Sequence, residues 1–224
     1  VFTCTSLPKD PRPIKIELNG NMDDTNSIER KSVMGKALAL PESASLDLLG
    51  RYGMVLARLI IGWMWITQLE WKMPPLFGCP PNFAVSTSLQ NRTSGLCDWT
   101  GLMAQYSIWP PHRAFVANVV APNLSWMAWG IWLMEVFIAA SLIVGLFSRL
   151  GGLVGLIQAS NLYIGLTALP FEWYWTYGMM VVLHLVFFCV PPGRTLGLDA
   201  WLRPWLANAS QAGNRLAGAL LWLT

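Results

Sequence analysis

The sequence predicts an all-α integral membrane protein: a four-helix bundle with a long extracytoplasmic loop between helices 1 and 2 and a C-terminal interfacial helix. Three observations predict it. Of 224 residues, 54% are apolar and only 12% are charged, about half the charge fraction of an ordinary soluble domain. The chain holds 13 tryptophans, a residue that concentrates where hydrocarbon meets water. Four windows, 50–69, 126–146, 150–169 and 174–190, are apolar and close to the length of about 20 residues that a spanning helix needs.

Each element follows from local composition. Residues 1–45 are polar and mixed in charge, as expected of a tail or of a docking arm for a partner. They lack the apolar core of a cleaved signal peptide. The loop 70–125 carries three Pro-Pro pairs, at 74–75, 80–81 and 110–111. Between them, residues 98–109 predict a short helix capped by Asp98. Its apolar residues place it against the membrane or over the end of the bundle. Pro191 and Pro192 stop the fourth window, since proline cannot continue a helix. Beyond them Asp199 can cap a helix whose Trp201, Arg203 and Trp205, followed by Arg215, suit a membrane interface. The expected organisation is a tail over 1–45, a membrane domain over 46–202 and an interfacial segment over 203–224.

Basic residues set the expected topology. Lys31, Lys36 and Arg51 precede the first window, Arg149 lies between the second and third, and Arg194 and Arg203 follow the fourth. The connection between the third and fourth has none. The positive-inside rule then puts both termini and Arg149 in the cytoplasm. A net charge of +3, with no basic run and no nucleic-acid motif, excludes nucleic acid as a partner. The bilayer and other membrane subunits are the partners expected.

Polar residues inside the windows pick out a candidate site. At a rise of 1.5 Å per residue, Arg58, Glu135, Gln158, Asn161 and His184 lie roughly 10–16 Å from the cytoplasmic end. Gln158 and Asn161 share a helix face, as do Tyr177 and His184. A lone charge at that depth costs at least about 2.5–3.5 kcal/mol, so Arg58 and Glu135 are expected to pair. Such a layer either holds the helices in register or binds a ligand such as a quinone head group. A quinone offers two carbonyl acceptors to Arg, His, Asn or Tyr donors, while a carboxylate or histidine can deliver protons.

The same residues carry a family resemblance. ARLIIGWMW (57–65), Glu135 followed by GLFSR (145–149), and PPGRTLGLD (191–199) resemble the DoxX/DoxD family in order and spacing. WKMPPLFG (71–78) is similar to the segment after the first helix in the DoxD branch. The resemblance covers about residues 50–202 and implies a four-helix subunit of a bacterial or archaeal cytoplasmic membrane. DoxD is the large subunit of thiosulfate:quinone oxidoreductase. That enzyme joins two thiosulfates into tetrathionate and passes two electrons to quinone, with a small DoxA partner. The N-terminal tail lies outside the pattern.

The remaining chemistry is sparse. Cys79 and Cys97 share the outer loop. A disulfide between them closes a loop of about 19 residues and adds roughly 3 kcal/mol; a redox-active thiol pair is the alternative. Cys189 reads as an apolar filler, and Cys4 lies in the tail. No cysteine spacing fits an iron–sulfur cluster, and no motif fits attached haem, a dinucleotide or a P-loop. No metal set is expected. His112 reads as a surface residue and His184 as hydrogen-bonded. Two functions are consistent with these residues. The first is a quinone-linked oxidoreductase subunit whose anionic substrate is drawn in by Lys72, Arg92 or Arg113. The second is a non-catalytic subunit of a respiratory or photosynthetic membrane complex. A transporter lacks support, because no pair of broken helices recurs in two halves.

Overall fold

The computed structural model describes residues 42–224, with side chains from residue 47 onward. The tail expected over 1–45, with Cys4, Lys31 and Lys36, falls outside the described residues except for the helical residues 42–45. The chain divides into two units, 1–50 and 51–224. Both apolar cores and the cavity described below lie in the second. Among the described residues every regular element is helical: α1 Glu42–Leu69, α2 Gly95–Tyr106, α3 Pro110–Phe115, α4 Leu124–Val144, α5 Ser148–Leu166, α6 Tyr174–Cys189, α7 Gly193–Leu196, α8 Leu198–Gln211 and α9 Arg215–Leu223.

Among the described residues two stretches are long and apolar enough to cross a membrane, Asp47–Lys72 and Pro110–Val144. Tyr174–Cys189 is apolar but shorter. The third predicted window, now α5, falls outside this set. Its glycines and its polar Gln158, Ser160 and Asn161 dilute its apolar character. The second predicted window begins earlier than expected. A π-turn over Val116–Val120 and a 3-10 turn over Ala121–Asn123 join α3 to α4, so the helical path runs unbroken from Pro110. Pro122, which has no N–H to donate, sits in that 3-10 turn.

Two apolar cores hold the fold. One lies among the long helices and includes Ile61, Trp65, Ile138, Leu142, Ala159 and Phe187. The other lies in the outer segment, where Phe77, Leu96, Leu102, Val116 and Val120 meet Leu124 and Leu166. The loop between the first two spans is thus a packed layer over the helix ends. Cys79 and Cys97 are disulfide-bonded inside it, with Cα atoms 5.3 Å apart. Asp98 does not cap α2. It lies one turn inside the helix, and its carboxylate accepts the single Arg92 Nε–H, shared between its two oxygens, and an N–H from Nη2. That bond raises the Arg92 pKa further, so its charge is permanent.

The turn between α4 and α5 explains three of the sequence features at once. Gly145 ends α4 with φ +69°, a left-handed conformation that glycine adopts without strain. A Cβ there would overlap Arg58 Nη1 and lie 2.7 Å from Gly197 Cα. Asp199, fully buried in the first turn of α8, does not simply cap its own helix. Its carboxylate accepts from Phe147 N (2.7 Å), Ser148 N (2.9 Å) and Ser148 Oγ (2.6 Å). It therefore caps the start of α5 from about 50 residues away in sequence, satisfying N–H groups that a helix end leaves free. Arg58 Nη2 donates to Leu196 O at 2.7 Å beside it. The GLFSR and GLD motifs are two halves of one clasp.

α8 and α9 pack together at the C-terminal end. Trp201 is 80% exposed and Trp205 is also exposed, as an interfacial helix requires. Arg203 departs from the expected interfacial role. Its guanidinium turns inward and donates to Leu221 O and Thr224 O.

Asp199→Ala leaves three buried donors without an acceptor, at a cost of about 1–3 kcal/mol or more. Thermal unfolding of the detergent-solubilised protein should show a clearly lower midpoint for Asp199→Ala and a smaller drop for Asp199→Asn. An unchanged midpoint would contradict the clasp.

Candidate ligand cavity

Between the end of α1, the outer segment and helices α4, α5 and α6 lies a cavity of about 650 Å³. Small-molecule sites are typically about 300–1,000 Å³ with mostly apolar walls. Met64, Met103, Met127, Met134 and Met180 line this one, together with Trp65, Trp71, Trp99 and Trp173. Methionine is unbranched and adapts to varied shapes. Ile157, halfway along α5, lines the cavity yet is 59% exposed. The cavity therefore reaches the flank of the helices and not only their end.

The polar end is built around Glu135, which is 1% exposed. The expected partner is Arg58; the observed partner is Lys72, itself 4% exposed, whose Nζ forms an ion pair with Glu135 Oε2. The Lys72 ammonium also lies 4.7 Å from the Trp71 ring centre, a cation–π contact. Gln158 Nε2 donates to Glu135 Oε1 at 3.2 Å, and Asn161 Nδ2 donates to Gln158 Oε1 at 3.4 Å. His112 Nε2 reaches Asn161 Oδ1 at 2.9 Å, and Ser107 Oγ lies 2.9 Å from His112 Nδ1.

Donor and acceptor roles along this chain are fixed by consistency. Asn161 Oδ1 can only accept, so Nε2 of His112 carries a hydrogen. Each N–H from His112 to Gln158 then points toward the carboxylate. A proton does not hop along the run readily, because two carboxamides interrupt the path and each would have to pass through an imidic acid. The chain of hydrogen bonds orients Glu135; it is not a proton wire.

The single polar layer predicted from depth resolves into three tiers. Arg58 belongs to the lowest. It lies with Gly145, Leu196 and Asp199, and its Nε and Nη1 have no hydrogen-bond partner. Ten residues of α4 separate Gly145 from Glu135, about 15 Å along the axis. Counting depth from Gly50 misplaces Arg58, because Arg58 itself lies level with the Gly145 turn and not about 12 Å beyond it. His184 forms the middle tier. Trp65 Nε1 donates to its Nε2 at 3.0 Å, and its Nδ1 meets Met180 O at 2.7 Å. Both ring nitrogens are occupied, and Gly155 packs so closely that a Cβ there would overlap the ring. Glu135, Gln158, Asn161 and Tyr177 line the cavity; Arg58 and His184 do not.

Two residues that sequence reasoning places elsewhere, Lys72 and His112, and one that it does not single out, Glu172, complete the upper tier. Lys72 reads as a loop cation, but it is buried in the 3-10 turn that ends α1. The signal is available in its position beside Trp71, just beyond an apolar helix facing Glu135 at similar height. His112 reads as a surface residue, but it bridges Ser107 and Asn161. Glu172 lines the cavity and accepts from Tyr177 OH at 2.7 Å. The other loop cations are engaged as well. Arg92 stacks on Phe171 and binds Asp98, and Arg113 Nη2 donates to Ser107 O at 2.7 Å. Among the described residues no group of three or more His, Cys, Asp and Glu could hold a metal ion.

Comparison with protein-family models, with curated proteins and with solved structures gives no match. The geometry of the cavity is therefore the main footing for function.

A double-mutant cycle tests the pair. Lys72→Met or Glu135→Leu alone leaves a buried charge without compensation and should cost about 3–5 kcal/mol. The double variant should recover most of that stability, since apolar replacement of both partners is close to neutral. Additive losses in thermal or denaturant unfolding would show that the two residues do not act as a pair.

Proposed function

We propose that this chain is a multi-pass membrane subunit of a quinone-linked oxidoreductase, and that the cavity is its quinone pocket. One observation carries the reading. Lys72 lies buried at the end of an apolar cavity, and Glu135 is its one acceptor among the described residues. An ammonium has three donors, so N–H groups remain for a ligand carbonyl. A quinone, when bound, supplies two carbonyl acceptors and takes up two electrons and two protons.

The chain's own residues fit that group. Lys72 Nζ donates to a carbonyl oxygen, and the pliable methionines accept a ring and the start of a tail. The flank at Ile157 offers a lipid-soluble molecule a route from the side. Helices α1, α4, α5 and α6 make four spans in this reading. The 19 residues of α5 and 16 of α6 extend about 28 and 24 Å, against a hydrocarbon core of about 30 Å. Gln158 is buried, which suits a spanning helix with its polar groups turned inward. Arg149, Arg194 and Arg203 mark the cytoplasmic end, and the disulfide-bearing outer segment faces away from it.

The resemblance to the DoxX/DoxD family supports the finer reading. There, two thiosulfates become one tetrathionate and release two electrons. The quinone takes those electrons with two protons, and a DoxA-like small subunit completes the assembly. A non-catalytic role in a larger complex is the second reading. The closed run of hydrogen bonds from Glu135 to His112 favours it, because such a run also holds helices in register.

A titration separates the two. Purified full-length protein in nanodiscs should bind a short-chain ubiquinone with saturable quenching of tryptophan fluorescence, since Trp65, Trp71, Trp99 and Trp173 line the cavity. Lys72→Met combined with Glu135→Leu, which spares stability, should weaken binding at least about tenfold, about 1.4 kcal/mol. Absence of saturable quenching in the unmodified protein would leave the non-catalytic reading.

A further inference from the structure

We infer that the cavity admits neutral head groups and excludes anions, so that an anionic reductant is not bound in it. The inference rests on the quinone reading and adds the charge class of what that site accepts. The charged groups lining the cavity are two carboxylates, Glu135 and Glu172, against one ammonium, Lys72. That ammonium is already paired with Glu135. A neutral carbonyl takes one of its remaining N–H groups and leaves the pair intact. A dianion would compete with Glu135 for Lys72 and lie beside an unpaired buried carboxylate, at a large desolvation cost.

Arg92 reaches Glu172 electrostatically, but it does not line the cavity and its guanidinium is already bound to Asp98, so it offsets that field only in part; Arg113 is turned to the Ser107 carbonyl, and Arg58 lies at the far turn. Glu172 is held at the cavity wall by the Tyr177 hydroxyl, which donates to it. The cavity residues of this chain thus suit a neutral acceptor and not an anionic donor.

The test is competition. Full-length protein is titrated with short-chain ubiquinone, read by tryptophan quenching, in sodium thiosulfate and in sodium chloride of equal ionic strength. The apparent Kd for quinone should be the same in both salts. Glu135→Gln frees Lys72 from its carboxylate, and thiosulfate should then raise the apparent Kd by about tenfold. Glu172→Gln keeps an acceptor for Tyr177 and should give a smaller rise in the same direction, which guards against a folding defect in Glu135→Gln. Competition by thiosulfate in the unmodified protein overturns the inference while leaving the quinone reading intact. So does a failure of both variants to gain competition. If quinone itself gives no saturable quenching, the quinone reading fails and the inference falls with it.

Discussion

The buried ion pair between Lys72 and Glu135 is the constraint on which the rest of the structure depends. Glu135 sits at mid-height of the most apolar helix, where an unpaired carboxylate is intolerable. Lys72 answers it from the 3-10 turn just beyond α1, so the pair ties the end of α1 to the middle of α4. That one contact has two further consequences. The outer segment must begin by folding over the helix ends, since Lys72 turns inward. The space left beneath it acquires a charged, hydrogen-bonding end and otherwise apolar walls.

The opposite end of the helices is fixed by a different device. Asp199 gathers the N–H groups of the α4–α5 turn and the Ser148 hydroxyl, and Arg58 closes the same clasp through Leu196 O. His184 and Trp65 make a third, neutral contact between these two. The three tiers divide the work. The middle tier has both His184 ring nitrogens engaged, and the lower tier, where Arg58 keeps two unpartnered donors, is packed against Gly145 and Gly197 and does not line the cavity. The upper tier joins free donors to the cavity, which is why the proposed quinone pocket is placed there.

Much of this was legible in the residues. The four windows mark the long helices closely, and Pro191-Pro192 does end the fourth, at Cys189. That Glu135 needs a buried partner also came from energetics alone. The identity of the partner did not. Depth counted from an assumed helix start puts Arg58 level with Glu135, whereas Arg58 lies level with the Gly145 turn, about 15 Å from Glu135 along α4. Lys72 falls outside the apolar window and so reads as a loop residue. His112 is hidden in the same way, because a Pro-Pro pair that signals a loop here opens a helix. Asp98 and Asp199 both look like caps of their own helices. Asp98 instead binds Arg92, six residues before it, and Asp199 serves a turn about 50 residues away that only tertiary packing brings to it.

A density map of the full-length protein with a short-chain ubiquinone decides most directly between a pocket and mere helix glue. The pair-centred reading predicts a quinone carbonyl within hydrogen-bond distance of Lys72 Nζ, with Glu135 still at the other side of the ammonium. A cavity filled only by a lipid tail, or a head group bound at Arg58 or His184, would contradict it.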